Sequence, residues 1–303
     1  MGNLKSLNLL CIFLLSITLF TACEFKDTES AVVPAYVCVP SYTFITDTTN
    51  TATYQGRNTS DFVDMWLNVS GNSLGNMALP VLIPVVKLGA KTINIDAGIK
   101  QSGQEDSRIA YPFIATYSKS VNLVPQQIDT LRPVFSYLPN THFRFIEDND
   151  YLSSSNNFKL NPVYTLPTDS FVIVSDPSGR EPNNKYMKLV MASTSSSFEM
   201  YTANEYILPG LGAPVYLELD YKSDAVIQIG YYYAEPPNQI SSAATPVIDL
   251  YPTDTWKKIY LNLSNEVSAR ASGSSFRIYI GLHNTNGTAP NVSLDNIKLL
   301  SLD

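Results

Sequence analysis

The chain has 303 residues, of which 45% are hydrophobic and 16% charged, and its 27 acidic and 20 basic side chains give a net charge of −7. This acidic balance argues against nucleic-acid binding, which needs a basic surface, and against electrostatic docking on anionic lipid. Tyrosine, serine, threonine, asparagine and valine are frequent, 19 prolines and 14 glycines occur along the chain, and long helix-forming runs are scarce. Together these features predict an all-β protein with many turns.

Residues 1–22 have the organisation of an export signal. Lys5 precedes an apolar stretch, residues 7–20, that is too short to cross a bilayer core. The sequence Phe20-Thr21-Ala22-Cys23 then resembles the lipobox of bacterial lipoproteins, although Phe20 stands where that family prefers leucine. The resemblance implies cleavage before Cys23 and a diacylglyceryl group on the Cys23 thiol. A conventional signal peptide that happens to contain a cysteine is the alternative.

Residues 23–30 form a predicted tether with an acidic cluster. Glu24, Asp27 and Glu29 follow the lipidated cysteine closely, an arrangement that resembles the surface-export signal of Bacteroidota lipoproteins. The resemblance implies a protein anchored in the bacterial outer membrane and exposed on the cell surface. A simple solvated tether is the alternative, because chain termini are commonly polar. Cys38 lies in an apolar, strand-like run and is interpreted as a buried small hydrophobe, with a reactive thiol as the alternative.

Residues 31–146 are predicted to form a first β module. Asp64–Val69 and Lys91–Asp96 alternate with period two, and a run from Leu79 to Val86 contains two prolines, which favours an edge strand. The pattern over about residues 64–97 resembles the PEGA-like modules of bacterial envelope proteins. That resemblance implies a small Ig-like β-sandwich that acts as a spacer or interaction unit. Residues 147–161 are rich in serine, asparagine and acidic side chains and are interpreted as a linker.

Residues 162–303 are predicted to form a second β module with clear strands. Period-two alternation occurs in residues 215–221, 225–233, 256–263 and 275–282, and residues 292–299 form a terminal predicted strand. A Leu-Glu-Leu-Asp-Tyr strand, a Thr-Trp-Lys-Lys-Ile-Tyr strand and a terminal Leu-Asp-Asn-Ile-Lys-Leu strand, in that order, resemble carbohydrate-binding jelly rolls of the galactose-binding-like type. The resemblance implies a jelly roll that captures glycan, so the predicted fold is two β-sandwich domains after a signal and a tether.

Alternation also divides each strand into a core set and an outward set. The outward set combines tyrosine rings, which can pack on the C–H faces of sugars, with side chains that can pair with sugar hydroxyls. If the strands share one sheet, six of these residues form a candidate glycan site: Glu218, Gln228, Tyr232, Tyr260, Arg277 and Tyr279. A solvated, tyrosine-rich face without a ligand is the alternative, because the alternation does not fix the strand order.

The sequence offers few residues for metal binding or catalysis. The two histidines, His142 and His283, are far apart and there are no cysteine pairs, which argues against a zinc site. The jelly-roll resemblance implies that Asp295 helps to hold a structural calcium ion, and an aspartate that fixes a turn is the alternative. No nucleophile elbow or phosphate loop occurs. Glu218 and Asp220, two apart on one strand, are the paired carboxylates that a glycosidase would need.

These inferences converge on a non-catalytic outer-membrane surface lipoprotein that binds glycan through its second module. Two other functions stay open: a structural or adhesion subunit of an envelope complex and, more weakly supported, a glycoside-cleaving enzyme. The expected partners are the membrane, through the lipid on Cys23, a glycan, and an outer-membrane transporter or other envelope proteins. We expect no nucleic-acid partner and no cofactor, and a structural calcium ion at Asp295 stays open as the alternative to a turn-fixing aspartate.

Overall fold

A computed structural model describes residues 32–303 except 51, 150–156, 176–179, 181–184 and 242. The predicted signal peptide, Cys23 and the tether lie outside the described residues. The described part of the chain contains 22 strands and a single short helix, α1 (Ser264–Ser268), which confirms the all-β prediction. Within it, no helix combines the length and the apolar character needed to span a membrane.

The first module is a sandwich of two β layers around one core. Its strands are β1 (Ala35–Val39), β2 (Thr43–Phe44), β3 (Asp64–Val69), β4 (Asn72–Ala78), β5 (Val81–Val85), β6 (Gly89–Lys100), β7 (Arg108–Ala110), β8 (Tyr117–Leu123), β9 (Ile128–Thr130) and β10 (Val134–Phe135). One layer has the order β4-β3-β6-β7, with β8 also paired to β6. The other contains the sheet β5-β1-β9 and the pair β2–β10. Residues of both layers share one hydrophobic cluster.

Local patterns account for the strands of this module. Met65, Leu67 and Val69 of β3 are buried while the intervening side chains are half-buried, as the period-two pattern predicts. β5 pairs with β1 alone among the described strands and therefore lies at an edge, as its prolines predict. Pro84 is tolerated there because an edge strand can lack a backbone N–H on its open side.

The second module is a sandwich of two six-stranded sheets. Its strands are β11 (Thr141–Glu147), β12 (Phe158–Leu160), β13 (Ser170–Ser175), β14 (Lys185–Val190), β15 (Ser197–Thr202), β16 (Tyr206–Ile207), β17 (Val215–Ser223), β18 (Ile227–Ala234), β19 (Thr245–Leu250), β20 (Thr253–Asn262), β21 (Ser275–His283) and β22 (Val292–Leu302). The proximal sheet has the order β13-β14-β22-β17-β20 with β11 also on β22. The distal sheet has the order β12-β15-β21-β18-β19 with β16 also on β21.

The core between these sheets is the one that alternation predicts. Every residue assigned to the core side of the predicted strands lies in one buried cluster: Leu217, Leu219, Tyr221, Ile227, Ile229, Tyr231, Ile259, Leu261, Leu263, Phe276, Ile278, Ile280 and Leu282. The pattern succeeds because successive side chains of a strand point to opposite faces of its sheet.

Two segments lie outside the modules to which the sequence assigns them. β11 starts inside the predicted first module but pairs with β22, from Thr141 opposite Leu302 to Glu147 opposite Ile297. β12 lies in the predicted linker 147–161 but pairs with β15. The predicted boundaries are therefore wrong for both segments, which belong to the second sandwich. The partner strands, β22 and β15, are distant in sequence, so the residues of β11 and β12 do not by themselves indicate the pairing.

The two modules meet along the outer face of the proximal sheet. Tyr216, Tyr260 and Leu300 of that face belong to the hydrophobic cluster of the first module. The ring of Phe62 stacks on Tyr260 with centroids 6.1 Å apart. The backbone N–H of Ser102 donates a hydrogen bond to the carbonyl of Tyr260 at 2.8 Å. This face is consequently an interior surface of the protein.

Candidate functional site

The six residues predicted to bind glycan divide between the two sheets of the second module. Glu218 on β17 and Tyr260 on β20 belong to the proximal sheet. The other four lie on β18 and β21 of the distal sheet: Gln228, Tyr232, Arg277 and Tyr279. The condition on which the six-residue site was predicted, that the strands share one sheet, is therefore not met. Period-two alternation gives the face of each strand but not the sheet to which the strand belongs.

Glu218 lies at the centre of the contact between the modules and is only 1% exposed. Its carboxylate accepts hydrogen bonds from the hydroxyls of Tyr111 at 2.7 Å and Tyr137 at 3.0 Å, and Lys258 Nζ lies 3.2 Å away. Burial would raise the pKa of Glu218, but attraction by Lys258 and Lys298 and the two tyrosine hydrogen bonds outweigh it and hold this pKa below its usual value. Glu218 therefore links the two modules, and its side chain is not accessible to a sugar.

Tyr260 and Asp220 are buried in the same contact. The Tyr260 hydroxyl accepts a hydrogen bond from the backbone N–H of Asp61 at 2.9 Å. The Asp220 carboxylate accepts hydrogen bonds from the Thr59 hydroxyl at 2.6 Å and the Asn296 amide at 3.0 Å. The carboxylate pair that the sequence offers for hydrolysis, Glu218 and Asp220, is thus enclosed between the modules.

Asp295 is fully buried on β22, opposite Asp220 in the strand register. Its carboxylate accepts a hydrogen bond from the backbone N–H of Asn296 at 2.8 Å. Burial, with repulsion from Asp220 and Asp148, raises the pKa of Asp295 to about 8. Among the described residues no group of three or more His, Cys, Asp and Glu side chains could hold a metal ion. Within the described part of the chain, the structure therefore supplies no such ligand group for the calcium predicted at Asp295.

The outer face of the distal sheet brings the remaining four predicted residues together. β21 lies between β15 and β18, and Gly281 is flanked by Glu199 on one side and Gln228 on the other. In the next outward row Tyr279 faces Gly230. A Cβ atom at Gly230 would lie 2.5 Å from Tyr279 Cε1. The glycine therefore allows the Tyr279 ring to lie across β18.

A hydrogen-bond network links the three strands on this face. The Tyr232 hydroxyl donates to Glu199 Oε1 at 2.5 Å, and the Asn161 amide donates to the same oxygen at 2.6 Å. The Tyr279 hydroxyl donates to Gln228 Oε1 at 3.0 Å. Burial raises the pKa of both Tyr232 and Tyr279. Because Tyr279 is 1% and Tyr232 6% exposed, these rings form the floor of the site and not its exposed platforms.

Three adjoining cavities cross this face. The first, of about 400 Å³, is lined by Tyr164, Tyr201 and Arg277 among others. The second, of about 170 Å³, shares Tyr164 with the first and Gln228 with the third, whose volume is about 360 Å³. His283 also borders both the second and the third cavity. Because neighbouring cavities share walls, together they form one groove, here called the distal groove.

The distal groove contains residues that the sequence interpretation missed. Tyr164 is 40% exposed and Tyr201 half-buried, so their rings are the aromatic surfaces available to a ligand. Tyr201 and Glu199 lie on β15, whose alternating pattern could have identified them. Asn161 and Tyr164 lie in the irregular segment that follows β12, where no periodicity indicates which side chains face the sheet.

Carboxylates dominate the electrostatics of the distal groove. Glu199, Asp224 and Asp249 line it. The only guanidinium among its described lining residues is that of Arg277, which is paired with Glu205 at 3.2 Å between Nη2 and Oε1. A ligand that carries negative charge would meet net repulsion along this surface.

No family model matches the sequence, and no curated protein is similar to it. Similar solved structures include the CBM22-1 xylan-binding domain of Paenibacillus barcinonensis Xyn10C, with 8% identity, a TM-score of 0.36, and coverage of 55% of this chain and 98% of that domain. Another is the family 11 carbohydrate-binding module of the Clostridium thermocellum cellulase Lic26A-Cel5E, with 15% identity, a TM-score of 0.34, and coverage of 52% and 95%.

A third similar structure is the enzymatically active domain of tailspike protein 4 of bacteriophage CBA120, with 8% identity and a TM-score of 0.35. The match covers 48% of this chain but only 19% of that one. With identities this low and TM-scores below 0.5, the assignment of this chain to a β-sandwich fold rests on its own strand pairing.

Proposed function

We propose that this protein is a non-catalytic lipoprotein of the outer-membrane surface that binds glycan in the distal groove. The observation that carries the proposal is the groove itself, a row of adjoining cavities lined by tyrosine rings and hydrogen-bonding side chains. It lies on the sheet that faces away from the first module. The sequence around Cys23, which resembles a lipobox, supports the anchored location.

The lining of the distal groove suits a sugar chain chemically. The exposed ring of Tyr164 and the half-buried ring of Tyr201 offer flat apolar surfaces on which the C–H face of a sugar ring can pack. Gln228, Arg277 and His283 offer donors and acceptors for hydroxyl groups. The first cavity, at about 400 Å³, falls within the range of about 300–1,000 Å³ that is usual for ligand sites.

The charge of the groove narrows the class of glycan. Three carboxylates line it, and its arginine is already paired with a glutamate. We therefore expect neutral polysaccharides as ligands and exclusion of uronate-rich or sulfated chains. The absence of catalysis is supported by the enclosed position of Glu218 and Asp220 between the modules.

The test is a double substitution, Tyr164→Ala with Tyr201→Ala, measured against a panel of neutral and acidic glycans by calorimetry. We expect the Kd for a neutral ligand to rise at least about tenfold, which corresponds to roughly 1.4 kcal/mol of lost ring contact. Tyr251→Ala is the matched control, because Tyr251 is 72% exposed and does not line the groove. The proposal fails if the wild-type protein binds no glycan of the panel, or if the double variant binds as tightly as the wild type.

A further inference from the structure

The outer face of the sheet β5-β1-β9 is apolar and carries no charged side chain at its paired outward positions. In one row Cys38 lies between Leu82 and Thr130, and in the next row Tyr36 lies between Pro84 and Ile128. Leu82 is 53% and Ile128 59% exposed. These six residues are called here the apolar face.

Neighbouring side chains extend this surface. Val86 follows β5, Val134 lies on β10, and Val32 precedes β1, and each is more than half exposed. Soluble proteins seldom leave a contiguous apolar area of this kind in water unless it meets a partner. The six residues of the apolar face carry no charge, so covering them would not be opposed by the desolvation of ions, and the exposed cations Lys87 and Arg132 lie at the margin of the wider surface.

The position of the apolar face in the chain indicates what covers it. Eight residues separate Cys23 from Val32, and an extended residue spans at most about 3.6 Å, so the tether reaches about 30 Å or less. If Cys23 is acylated, as the proposed function requires, Val32 is held within that distance of the lipid, and the apolar face begins four residues later at Tyr36. The high local concentration imposed by such a short tether favours even a weak contact.

We infer that the apolar face docks on the lipid surface of the membrane in which Cys23 is anchored, an inference that rests on the proposed lipid anchor. Leu82, Pro84 and Ile128 would enter the boundary between headgroups and acyl chains, and Tyr36 is a residue type that favours this boundary. Neutral headgroups suit the contact, because the chain has a net charge of −7 and the face contributes no cation.

Cys38 provides the reporter for the experiment. Once the signal is removed and Cys23 is acylated, Cys38 is the only thiol in the chain. The lipidated protein is reconstituted in phosphatidylcholine vesicles, and the rate at which a polar maleimide alkylates Cys38 is measured. The reference is the same rate for a lipid-free Cys23→Ser chain that begins at residue 23. We expect alkylation to be at least tenfold slower in vesicles. A Leu82→Asp, Ile128→Asp variant should restore most of the rate.

The matched control is Ser118→Cys in a Cys38→Ser background, because Ser118 is exposed on β8 in the opposite layer of the same module. Its alkylation should be equally fast with and without vesicles. Equal slowing at both positions would overturn the inference. If protection of Cys38 grows with the concentration of the lipid-free chain, a second copy of the chain covers the apolar face, and the inference is wrong. If Cys38 is protected in native outer membranes but not in vesicles, a protein partner covers the face, and the inference is also wrong. Mass spectrometry of the amino-terminal peptide separates a missing acyl group, which contradicts the proposed anchor, from a failure of docking alone.

Discussion

Glu218 and Asp295 are buried carboxyls of the same sheet, and their surroundings shift their pKa values in opposite directions. Two lysines and two tyrosine hydroxyls surround Glu218, and they hold its pKa below the usual value despite burial. Asp295 is buried beside Asp220, and its pKa rises to about 8. At the scale of single residues, neighbours decide whether a buried carboxyl stays charged.

The raised pKa of Asp295 predicts a pH-dependent contribution to stability. The folded protein holds the proton of Asp295 up to about pH 8, whereas the unfolded chain releases it near the ordinary value of 3.8. The stabilisation is therefore complete below about pH 4 and is lost as the pH rises to 8, with a slope approaching about 1.4 kcal/mol per unit. Asp295→Asn removes this slope, because asparagine is neutral at every pH. In urea unfolding, the variant should gain free energy of unfolding relative to the wild type between pH 5 and pH 8.

The control for this comparison is Asp254→Asn, a substitution at an exposed position of β20. Its pH profile should follow that of the wild-type protein. Parallel profiles for Asp295→Asn and the wild type would show that Asp295 is ionised in the folded protein at neutral pH.

At the scale of strands, the sequence predicts individual elements well and their assembly poorly. Alternation identifies β17, β18, β20 and β21 because the core residues of each strand recur at every second position. Successive strands, however, cross from one sheet to the other, since β17 and β20 are proximal while β18 and β21 are distal. Tyr260 and Tyr279 therefore have the same local pattern but lie in different surroundings, one between the modules and one beneath the groove. The partner of a strand is set by distant residues that its own period does not reveal.

The outward row of β21 predicts how the distal groove divides along its length. Gly281 lies between Glu199 and Gln228 at the second, narrow cavity. Gly281→Val would fill this cavity and leave the first one open. We expect the affinity for a hexasaccharide to fall by about tenfold or more while a disaccharide that fits the first cavity binds unchanged, as measured by calorimetry.

A Cβ atom at Gly281 would lie 3.2 Å from the carbonyl oxygen of Phe198, so a small shift of β15 accompanies the change and the melting temperature must be recorded with the affinity. Gly210→Val is the control, since nothing lies within 4 Å of a Cβ atom there. An equal loss for both ligand lengths would mean that the cavities do not act as one groove.

At the scale of the whole molecule, the two modules share one hydrophobic cluster and are therefore packed against each other. Tyr216, Tyr260 and Leu300 of the second module lie in the hydrophobic cluster of the first, and Glu218 binds two tyrosines across the contact. Separation would expose these rings and leave Glu218, Lys258 and Lys298 without their partners across the contact, which is strongly unfavourable for buried charges. The two sandwiches therefore stabilise each other.

This shared core predicts a single cooperative unfolding transition. The two tryptophans report on different modules, since Trp66 lies on β3 and Trp256 on β20. The variants Trp66→Phe and Trp256→Phe each leave one tryptophan as the fluorescent reporter. In each variant, the urea midpoint measured by fluorescence should equal the midpoint measured by far-UV circular dichroism. Two clearly separated fluorescence midpoints would show that the modules unfold independently.

The last strand has a consequence for the order in which the protein is made. β22 spans 11 residues, pairs with β11, β14 and β17, and contributes Leu300 to the core of the first module. During synthesis from the amino terminus, β14 and β17 are made before the strand that joins them, so the proximal sheet cannot close until β22 has been made. A premature stop codon just before Val292 would remove β22 and so deprive β11, β14 and β17 of their shared partner strand, although every other strand of both sandwiches would still be made.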